Sequence, residues 1–216
     1  MNPLTPMLGS GSPPLPVRAQ AALLVIDMQN AYCHPDGVFA RSAPDPLACQ
    51  RVILPCGELV GTARAAGVPV LHAAKVSLAP AVATASFHNT RRAGPGMMQV
   101  GEWDAEIVDG VRPAPGEIVL HKLAYSAFFG TALDPVLQRL GTRALVLVGV
   151  TTSICVESTA RDAAQRGFDV YVVGDASAEW VPQRHERAIE QLGYAFARIV
   201  TTRQLADAWQ ATARQR

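Results

Sequence analysis

The stretch Gly149-Val150-Thr151-Thr152-Ser153-Ile154-Cys155-Val156 follows the apolar run 144–148, and the rest of the predicted fold is organised around it. The run has the length and composition of a buried strand, and Gly149 is predicted to end it. Three hydroxyl residues then offer helix N-caps, and apolar residues at helical spacing continue to Gly167. The pattern predicts a strand, a turn and a helix, with Cys155 on the first turn of the helix.

Cys155 has two interpretations at this position. Unpaired backbone N–H groups and the positive end of the helix dipole favour a thiolate, which predicts a lowered pKa and a nucleophile. Alternatively, Cys155 is a small buried thiol packed under the strand, as most free cysteines are. The local pattern is compatible with both.

Five further apolar runs alternate with helical segments. The predicted strands lie at 21–26, 68–73, 117–120, 170–173 and 196–200, and the other helices at 55–66, 133–140, 184–192 and 203–211. This alternation predicts a Rossmann-like α/β fold of three layers, in which helices cover both faces of a doubly wound, six-stranded parallel sheet. The functional site is then expected outside the carboxyl ends of the strands.

Composition limits the function classes. The chain has 216 residues, of which 49% are hydrophobic and 17% charged, and its formal net charge is +1. We expect a single domain at 21–216, preceded by a proline-rich arm or disordered tail at 1–20. The balanced charge argues against a nucleic-acid footprint and a polybasic membrane surface, and no apolar run reaches the ~20 residues of a membrane span. The expected partners are a small molecule and further copies of the chain.

The start of the chain and the cysteines suggest a compartment. Residues 1–20 lack the apolar core of a signal peptide. The four cysteines, Cys33, Cys49, Cys56 and Cys155, lack Cys-x-x-Cys spacing, so neither a metal site of that type nor an oxidising environment is indicated. A cytoplasmic protein is expected.

The segment 75–115 lacks a regular pattern and is rich in proline, glycine and polar residues. A loop of this length inside a compact domain is usually functional or disordered. We predict a lid or a pocket wall, and a surface insertion is the alternative.

Polar residues follow three of the predicted strands. Asp27 ends the first strand, Lys122 the third, and Cys155 follows the fourth. In a parallel sheet all three open onto the same edge, where a carboxylate can take the thiol proton and an ammonium can stabilise the anions.

Three sequence blocks carry a family resemblance. They are Val25-Ile26-Asp27-Met28-Gln29-Asn30, then His121-Lys122 followed by Tyr125-Ser126-Ala127-Phe128, and finally 149–156 with Thr159-Ala160-Arg161-Asp162-Ala163. They resemble the signature blocks of the isochorismatase-like cysteine hydrolases, which include N-carbamoylsarcosine amidases, ureidoacrylate amidohydrolases, biuret hydrolases and nicotinamidases. The resemblance spans about residues 21–204 in the expected order.

The resemblance implies a catalytic mechanism. Cys155 would be the nucleophile, Asp27 the general acid and base, and Lys122 the cation beside them. A non-proline cis peptide between Val150 and Thr151 would aim the N–H groups of Thr151 and Cys155 at an oxyanion. The implied activity is cleavage of an amide C–N bond through a thioester, and members of the family commonly form homo-oligomers.

Departures from family patterns narrow the substrate. Cys155 favours amide chemistry over the vinyl-ether cleavage of true isochorismatases, which lack this cysteine. Residues 71–77 lack the Asp-x-His metal motif of many nicotinamidases, so we expect neither a metal nor a cofactor. The amino-acid sequence at 30–32 and 155–159 most closely resembles that of the ureide-cleaving members of the family. The candidate substrate-binding residues are Asn30, Tyr32, Tyr125, Phe128 and, in the loop, Arg92.

Other readings remain open at this point. A nicotinamidase-like or other small-amide hydrolase would use the same residues on another substrate. A papain-like Cys–His pair would need His121 to reach Cys155. A binding protein that kept the fold without the chemistry would have no use for three polar residues at the strand ends.

Overall fold

The computed structural model describes residues 15–16, 18–77 and 97–213. The strands are β1 Ala21–Ile26, β2 Val70–Lys75, β3 Ile118–Lys122, β4 Ala144–Val150, β5 Asp169–Ala178 and β6 Arg198–Val200. The helices are α1 Asn30–Cys33, α2 Ile53–Ala66, α3 Leu133–Arg139, α4 Glu157–Gln165, α5 Pro182–Ala195 and α6 Thr202–Ala213. A π-helical turn, Thr152–Val156, connects β4 to α4.

All six strands are parallel and form one sheet in the order β3-β2-β1-β4-β5-β6. The predicted doubly wound sheet is therefore confirmed. The strand order reverses between β1 and β4, where Ile26 pairs with Gly149. In open α/β sheets, ligands bind outside the carboxyl ends of the strands at such a point.

The core lies in two layers, one on each face of the sheet. Leu23 and Val25 of β1 pack against α2 and α6 on one face, whereas Leu24 and Ile26 pack against α3, α4 and α5 on the other. Because helices cover both faces, β1 and β4 are buried along their whole length and show no polar alternation.

Gly149 lies where the backbone of β4 runs close to that of β1. Its φ is +115°, and a Cβ on this residue would lie 2.1 Å from the carbonyl oxygen of Ile26. The prediction that Gly149 ends the strand is wrong, because β4 continues past an irregularity to Val150. Glycine allows the two backbones to meet at the edge where the site forms.

Two other boundaries differ from the predictions because glycine was read as a terminator. Strand β5 continues through Gly174 to Ala178, five residues beyond the predicted end at Val173. Helix α5 runs through Gly193 to Ala195, and a Cβ at Gly193 would lie 3.1 Å from Ile199. Close packing against β6 explains that glycine, which does not act as a cap.

The described end of the N-terminal arm packs on the domain. Leu15 lies against the core, and the Trp209 indole N–H donates to the carbonyl of Pro16 at 3.2 Å. In the predicted lid, residues 97–115 include two 3₁₀ turns, Trp103–Ala105 and Asp109–Val111. No helix among the described residues is long and apolar enough to cross a membrane.

Candidate active site

The structure brings Asp27, Lys122 and Cys155 together at the carboxyl edge of the sheet. Lys122 Nζ lies 2.8 Å from Asp27 Oδ2 and 3.4 Å from Cys155 Sγ. Asp27 follows β1, Lys122 is the last residue of β3, and Cys155 lies in the π-helical turn after β4. The three side chains therefore converge on the switch point from three different strands, as predicted.

The local backbone explains two of these positions. Asp27 has a φ of +50°, uncommon for a residue with a side chain, while its N–H still donates to the Ala73 carbonyl at 2.8 Å. Lys122 is buried, whereas the neighbouring His121 is exposed, because successive residues of a strand point to opposite faces. This alternation turns His121 away from Cys155, so the papain-like alternative is not supported.

Burial controls the proton affinities at the site. Asp27 is 1% exposed, Lys122 0% and Cys155 7%. Burial raises the pKa of the Cys155 thiol and the Asp27 carboxylate raises it further, against the opposing effect of Lys122. The expectation of a lowered pKa is therefore wrong, because desolvation outweighs the local effect of the helical turn. Burial alone would lower the pKa of Lys122, but Asp27 and Cys155 outweigh it and the pKa is raised.

Two buried side chains hold the strand ends in place. Gln29 accepts a hydrogen bond from the Lys75 N–H at 2.8 Å and donates to the carbonyls of Lys75 and Ala105 at 2.9 and 2.8 Å. Thr159 donates to the Cys155 carbonyl at 2.7 Å and accepts from the Ala127 N–H at 3.0 Å. Gln29 thus links β1 to β2, and Thr159 links the cysteine turn to the loop after Lys122.

The turn that carries Cys155 begins at a cis peptide bond between Val150 and Thr151, as the resemblance implies. The Thr151 carbonyl accepts hydrogen bonds from the N–H groups of Ile154 and Val156, both at 3.2 Å. Two side-chain contacts also hold the turn in place. Thr152 Oγ1 lies 2.9 Å from His185 Nδ1, and the Ser153 hydroxyl donates to Glu179 Oε2 at 2.6 Å.

Aromatic side chains form a wall near Asp27 and Cys155. The Tyr32 ring stacks on Phe39 and Trp180, with centroids 5.0 and 6.1 Å apart. Burial raises the pKa of Tyr32, and the charges of Asp27 and Cys155 raise it further, which places the phenol in the electrostatic field of the site. Trp180 was missed by the sequence analysis because β5 was predicted to end seven residues before it.

The other candidate substrate-binding residues are placed differently. Asn30 donates its side-chain N–H to the Trp103 carbonyl at 2.8 Å, so one of its amide donors is already used. Tyr125 is 41% exposed. Phe128 is buried against Phe168 in the core, which leaves little of its surface for a ligand. Arg92 lies outside the described residues.

Two surface cavities lie away from the three converging side chains. One, of about 360 Å³, is lined by residues that include Ala74, Val119 and His121, and the other, of about 460 Å³, by residues that include Asn30 and Trp103. Neither is lined by Asp27, Lys122 or Cys155. Within the described part of the chain, no three His, Cys, Asp or Glu side chains cluster so as to hold a metal ion.

Comparisons with known proteins agree with this architecture. Residues 21–204 match the model of the isochorismatase domain. The chain is 35% identical over 206 residues to the ureidoacrylate amidohydrolase RutB of Caulobacter segnis, with 87% of this chain and 86% of the relative covered.

Solved structures give the same result. N-carbamoylsarcosine amidase of Thermoplasma acidophilum superposes with a TM-score of 0.70 and 30% identity, over 85% of this chain and 96% of that one. A cysteine hydrolase of Pseudomonas syringae superposes with a TM-score of 0.83 over 93% of this chain and 99% of that one; at 22% identity this likeness concerns the fold. The chain belongs to the isochorismatase family.

Proposed function

We propose that this protein is a cysteine-dependent amidohydrolase that cleaves a C–N bond of a small ureide or N-carbamoyl compound. The observation that carries the proposal is the buried contact of Lys122 with both Asp27 and Cys155 at the switch point of the sheet. The similar proteins support the same proposal, since one is a ureidoacrylate amidohydrolase and another an N-carbamoylsarcosine amidase. No metal or cofactor is part of the proposed mechanism.

The first half-reaction forms an acyl-enzyme. Because its pKa is raised, Cys155 enters the reaction as a thiol and Asp27 accepts the proton as sulfur attacks the substrate carbonyl. The N–H groups of Thr151 and Cys155 donate to the oxyanion, and Lys122 balances the negative charge of Asp27. When the C–N bond breaks, Asp27 returns the proton to the leaving nitrogen, so ammonia or an amine departs.

The second half-reaction restores the enzyme. Asp27, again a carboxylate, takes a proton from water, and the resulting hydroxide attacks the thioester carbonyl. The carbon–sulfur bond breaks, the acid product leaves, and the thiolate recovers its proton from Asp27. For a ureide, the acyl-enzyme is a thiocarbamate and the steps are unchanged.

The aromatic wall of Tyr32, Phe39 and Trp180 is proposed as one side of the substrate pocket. Tyr125 and Asn30 complete the proposed pocket, together with Arg92 from outside the described residues. Phe128 is not part of it, because its ring packs against Phe168 in the core. The indole N–H of Trp180 is buried and has no partner among the described residues, so it is a donor available to a substrate oxygen.

A homo-oligomer in the cytoplasm is a further part of the proposal. Large apolar side chains such as Val100 and Phe129 are exposed, at 65% and 71%, which favours self-association. All four cysteines are free thiols, as expected in a reducing compartment. Light scattering on the purified protein gives the number of copies, and a monomer at all concentrations would contradict this part.

The decisive experiment measures ammonia release from linear ureides, N-carbamoyl amino acids, nicotinamide and simple primary amides. Wild type is compared with Cys155→Ser, and intact-protein mass spectrometry records any acyl adduct. Cysteine-dependent turnover of ureides with an adduct on Cys155 is the expected result. Turnover of nicotinamide alone would select the nicotinamidase-like alternative, and no turnover of any compound would favour a binding protein.

A further inference from the structure

A second lysine lies beside the triad. Of the 19 lysine and arginine residues in the chain, only Lys75 and Lys122 are lysines. They are register partners at the carboxyl ends of β2 and β3. Register partners in neighbouring parallel strands point to the same face of the sheet, so both side chains start on the face that carries Ala73, Leu120 and Cys155.

The contacts of Lys75 fix its ammonium group. Nζ donates to the Leu123 carbonyl at 2.6 Å and to the Val76 carbonyl at 3.3 Å. The backbone of Lys75 is held on both sides by the Gln29 side chain. An ammonium has three N–H donors, so one remains after these two carbonyls are counted.

The charges around Lys75 do not balance. Lys122 is paired with Asp27, and the raised pKa of Cys155 keeps that group a neutral thiol in the resting enzyme. No carboxylate forms an ion pair with Lys75 in the part of the chain that the structure describes. Lys75 is half-buried, and burial followed by the charge of Lys122 lowers its pKa, against a smaller opposing effect of Asp27 and Cys155. A half-buried cation without an anion is costly, so a bound anion would stabilise it.

We propose that Lys75 binds a carboxylate of the substrate and thereby restricts the enzyme to ureido acids and N-carbamoyl amino acids. This inference rests on the proposed function, since it concerns the molecule whose carbonyl reaches Cys155. The free N–H of Lys75 meets one carboxylate oxygen while Cys155 attacks the carbamoyl carbon. Lys75 is a binding residue in this arrangement and takes no proton.

The competing explanation is structural. In this explanation, Lys75 has a purely structural role: its hydrogen bond to the Leu123 carbonyl holds the backbone next to Lys122. Loss of a structural residue would lower kcat/KM equally for every substrate, whereas loss of a carboxylate-binding residue would lower it only for anionic substrates. The two roles are separated by a pair of ureas that differ in charge and little in shape.

The test compares N-carbamoylglycine with isobutylurea, in which two methyl groups replace the carboxylate oxygens. For Lys75→Met, we expect kcat/KM for N-carbamoylglycine to fall about 10- to 100-fold, mainly through KM, as for a lost charged hydrogen bond. The kcat/KM for isobutylurea is expected to stay within about 3-fold or to rise. Lys75→Arg keeps the charge and is expected to keep a preference for the acid, and the exposed Arg203→Met controls for net charge.

A second measurement does not depend on turnover. With lysine labelled at the side-chain nitrogen, the protein gives two side-chain signals, and the Lys75→Arg variant identifies the one that belongs to Lys75. In Cys155→Ser, N-carbamoylglycine is expected to shift the Lys75 signal, and isobutylurea is not.

Equal losses on both ureas, or no loss on either, would overturn the inference and leave the amidohydrolase intact. Absence of Cys155-dependent turnover in wild type would overturn the proposed function. If wild type shows no such turnover, the side-chain nitrogen signal of Lys75 still tests the anion site. A signal that N-carbamoylglycine does not shift would refute the site, and a shifted signal would support it. The same labelled signal decides the matter if Lys75→Met does not fold.

Discussion

Asp27 and Lys122 form an ion pair, 2.8 Å between Oδ2 and Nζ, in which both side chains are almost completely removed from solvent. Taking two charges out of water costs several kcal/mol each, and the attraction between them offsets that cost only while both are present. Burying this pair therefore lowers the free energy of unfolding. A protein without a function at this site would have no need of such a pair, so its presence agrees with a functional role.

Removing one partner of the pair is expected to destabilise the fold. In Lys122→Met, a buried carboxylate loses its cation, and the free energy of unfolding should fall by about 3–5 kcal/mol. The double variant Asp27→Asn with Lys122→Met removes both charges and should recover most of that loss. Urea unfolding of the single and double variants measures the coupling, and additive losses would show that the two charges are not energetically paired.

The raised pKa of Cys155 predicts an unusual pattern of thiol reactivity. Asp27→Asn removes a charge that raises the pKa, so alkylation of Cys155 by iodoacetamide at pH 7 should become faster while turnover falls. Lys122→Met removes a charge that lowers the pKa, so alkylation should become slower. Peptide mapping separates Cys155 from Cys33, Cys49 and Cys56. Faster alkylation in Lys122→Met than in Asp27→Asn would contradict the electrostatic assignment.

Gly149 is expected to be intolerant of a side chain. Gly149→Ala places a Cβ 2.1 Å from the Ile26 carbonyl oxygen at a φ of +115°, so we expect a loss of more than about 4 kcal/mol or failure to fold. Gly61→Ala, on the exposed side of α2 with open space around it, is the matched control and should gain about 0.5–1 kcal/mol. Thermal unfolding of both variants makes the comparison. A Gly149→Ala protein as stable as wild type would show that β1 and β4 can move apart without cost.

Stability is predicted to fall on acidification through a network under the sheet. The hydrogen bond from Arg64 is the largest effect that lowers the pKa of Glu117, from 4.5 to about 2, and burial lowers the pKa of His72 beside it. Both folded-state pKa values lie below the unfolded ones, so the stabilisation is present above the unfolded values and is lost as pH falls. The loss begins near pH 6.5 with His72 and continues from pH 4.5 to about 2 with Glu117.

Glu117→Gln should flatten the stability curve below pH 4.5. It should enlarge the loss that begins near pH 6.5, because Glu117 raises the pKa of His72 and its removal lowers that pKa further. Glu58→Gln removes an exposed carboxylate and serves as the control. Denaturant unfolding at a series of pH values measures both. A wild-type curve that does not change between pH 6.5 and 3 would rule out this network as a source of acid sensitivity.

The catalytic candidates were predictable because each is a polar residue that follows an apolar run. Asp27, Lys122 and Cys155 each follow a run of apolar residues long enough for a buried strand, and parallel strands bring their carboxyl ends to one edge. Lys75 and Trp180 obey the same rule. Trp180 was missed because the fifth strand was predicted to end at Val173, short of its observed end at Ala178. Lys75 was missed because it was assigned to the loop 75–115, whereas it is the last residue of the second strand.

The direction of the Cys155 pKa shift could not be predicted from neighbours in sequence. A helix terminus is a local feature and favours the thiolate, whereas desolvation depends on everything that packs around the sulfur. Similarly, Phe128 has the type and position of a pocket residue, but its ring faces Phe168 in the core. Burial is a property of the whole fold, so local patterns predict it poorly.

Three features could be predicted from the amino-acid sequence: the succession of strands and helices along the chain, the parallel sheet that this succession implies, and the residues at the strand ends. These follow from apolar run lengths, helix caps and chain connectivity, which are local. The folded structure was needed to show that the Lys122 ammonium group reaches from β3 to Asp27 and Cys155. It was also needed to show that Lys75, the register partner of Lys122, has no ion-paired carboxylate among the described residues. Strand register and desolvation set those relationships, and both arise only when distant segments pack together.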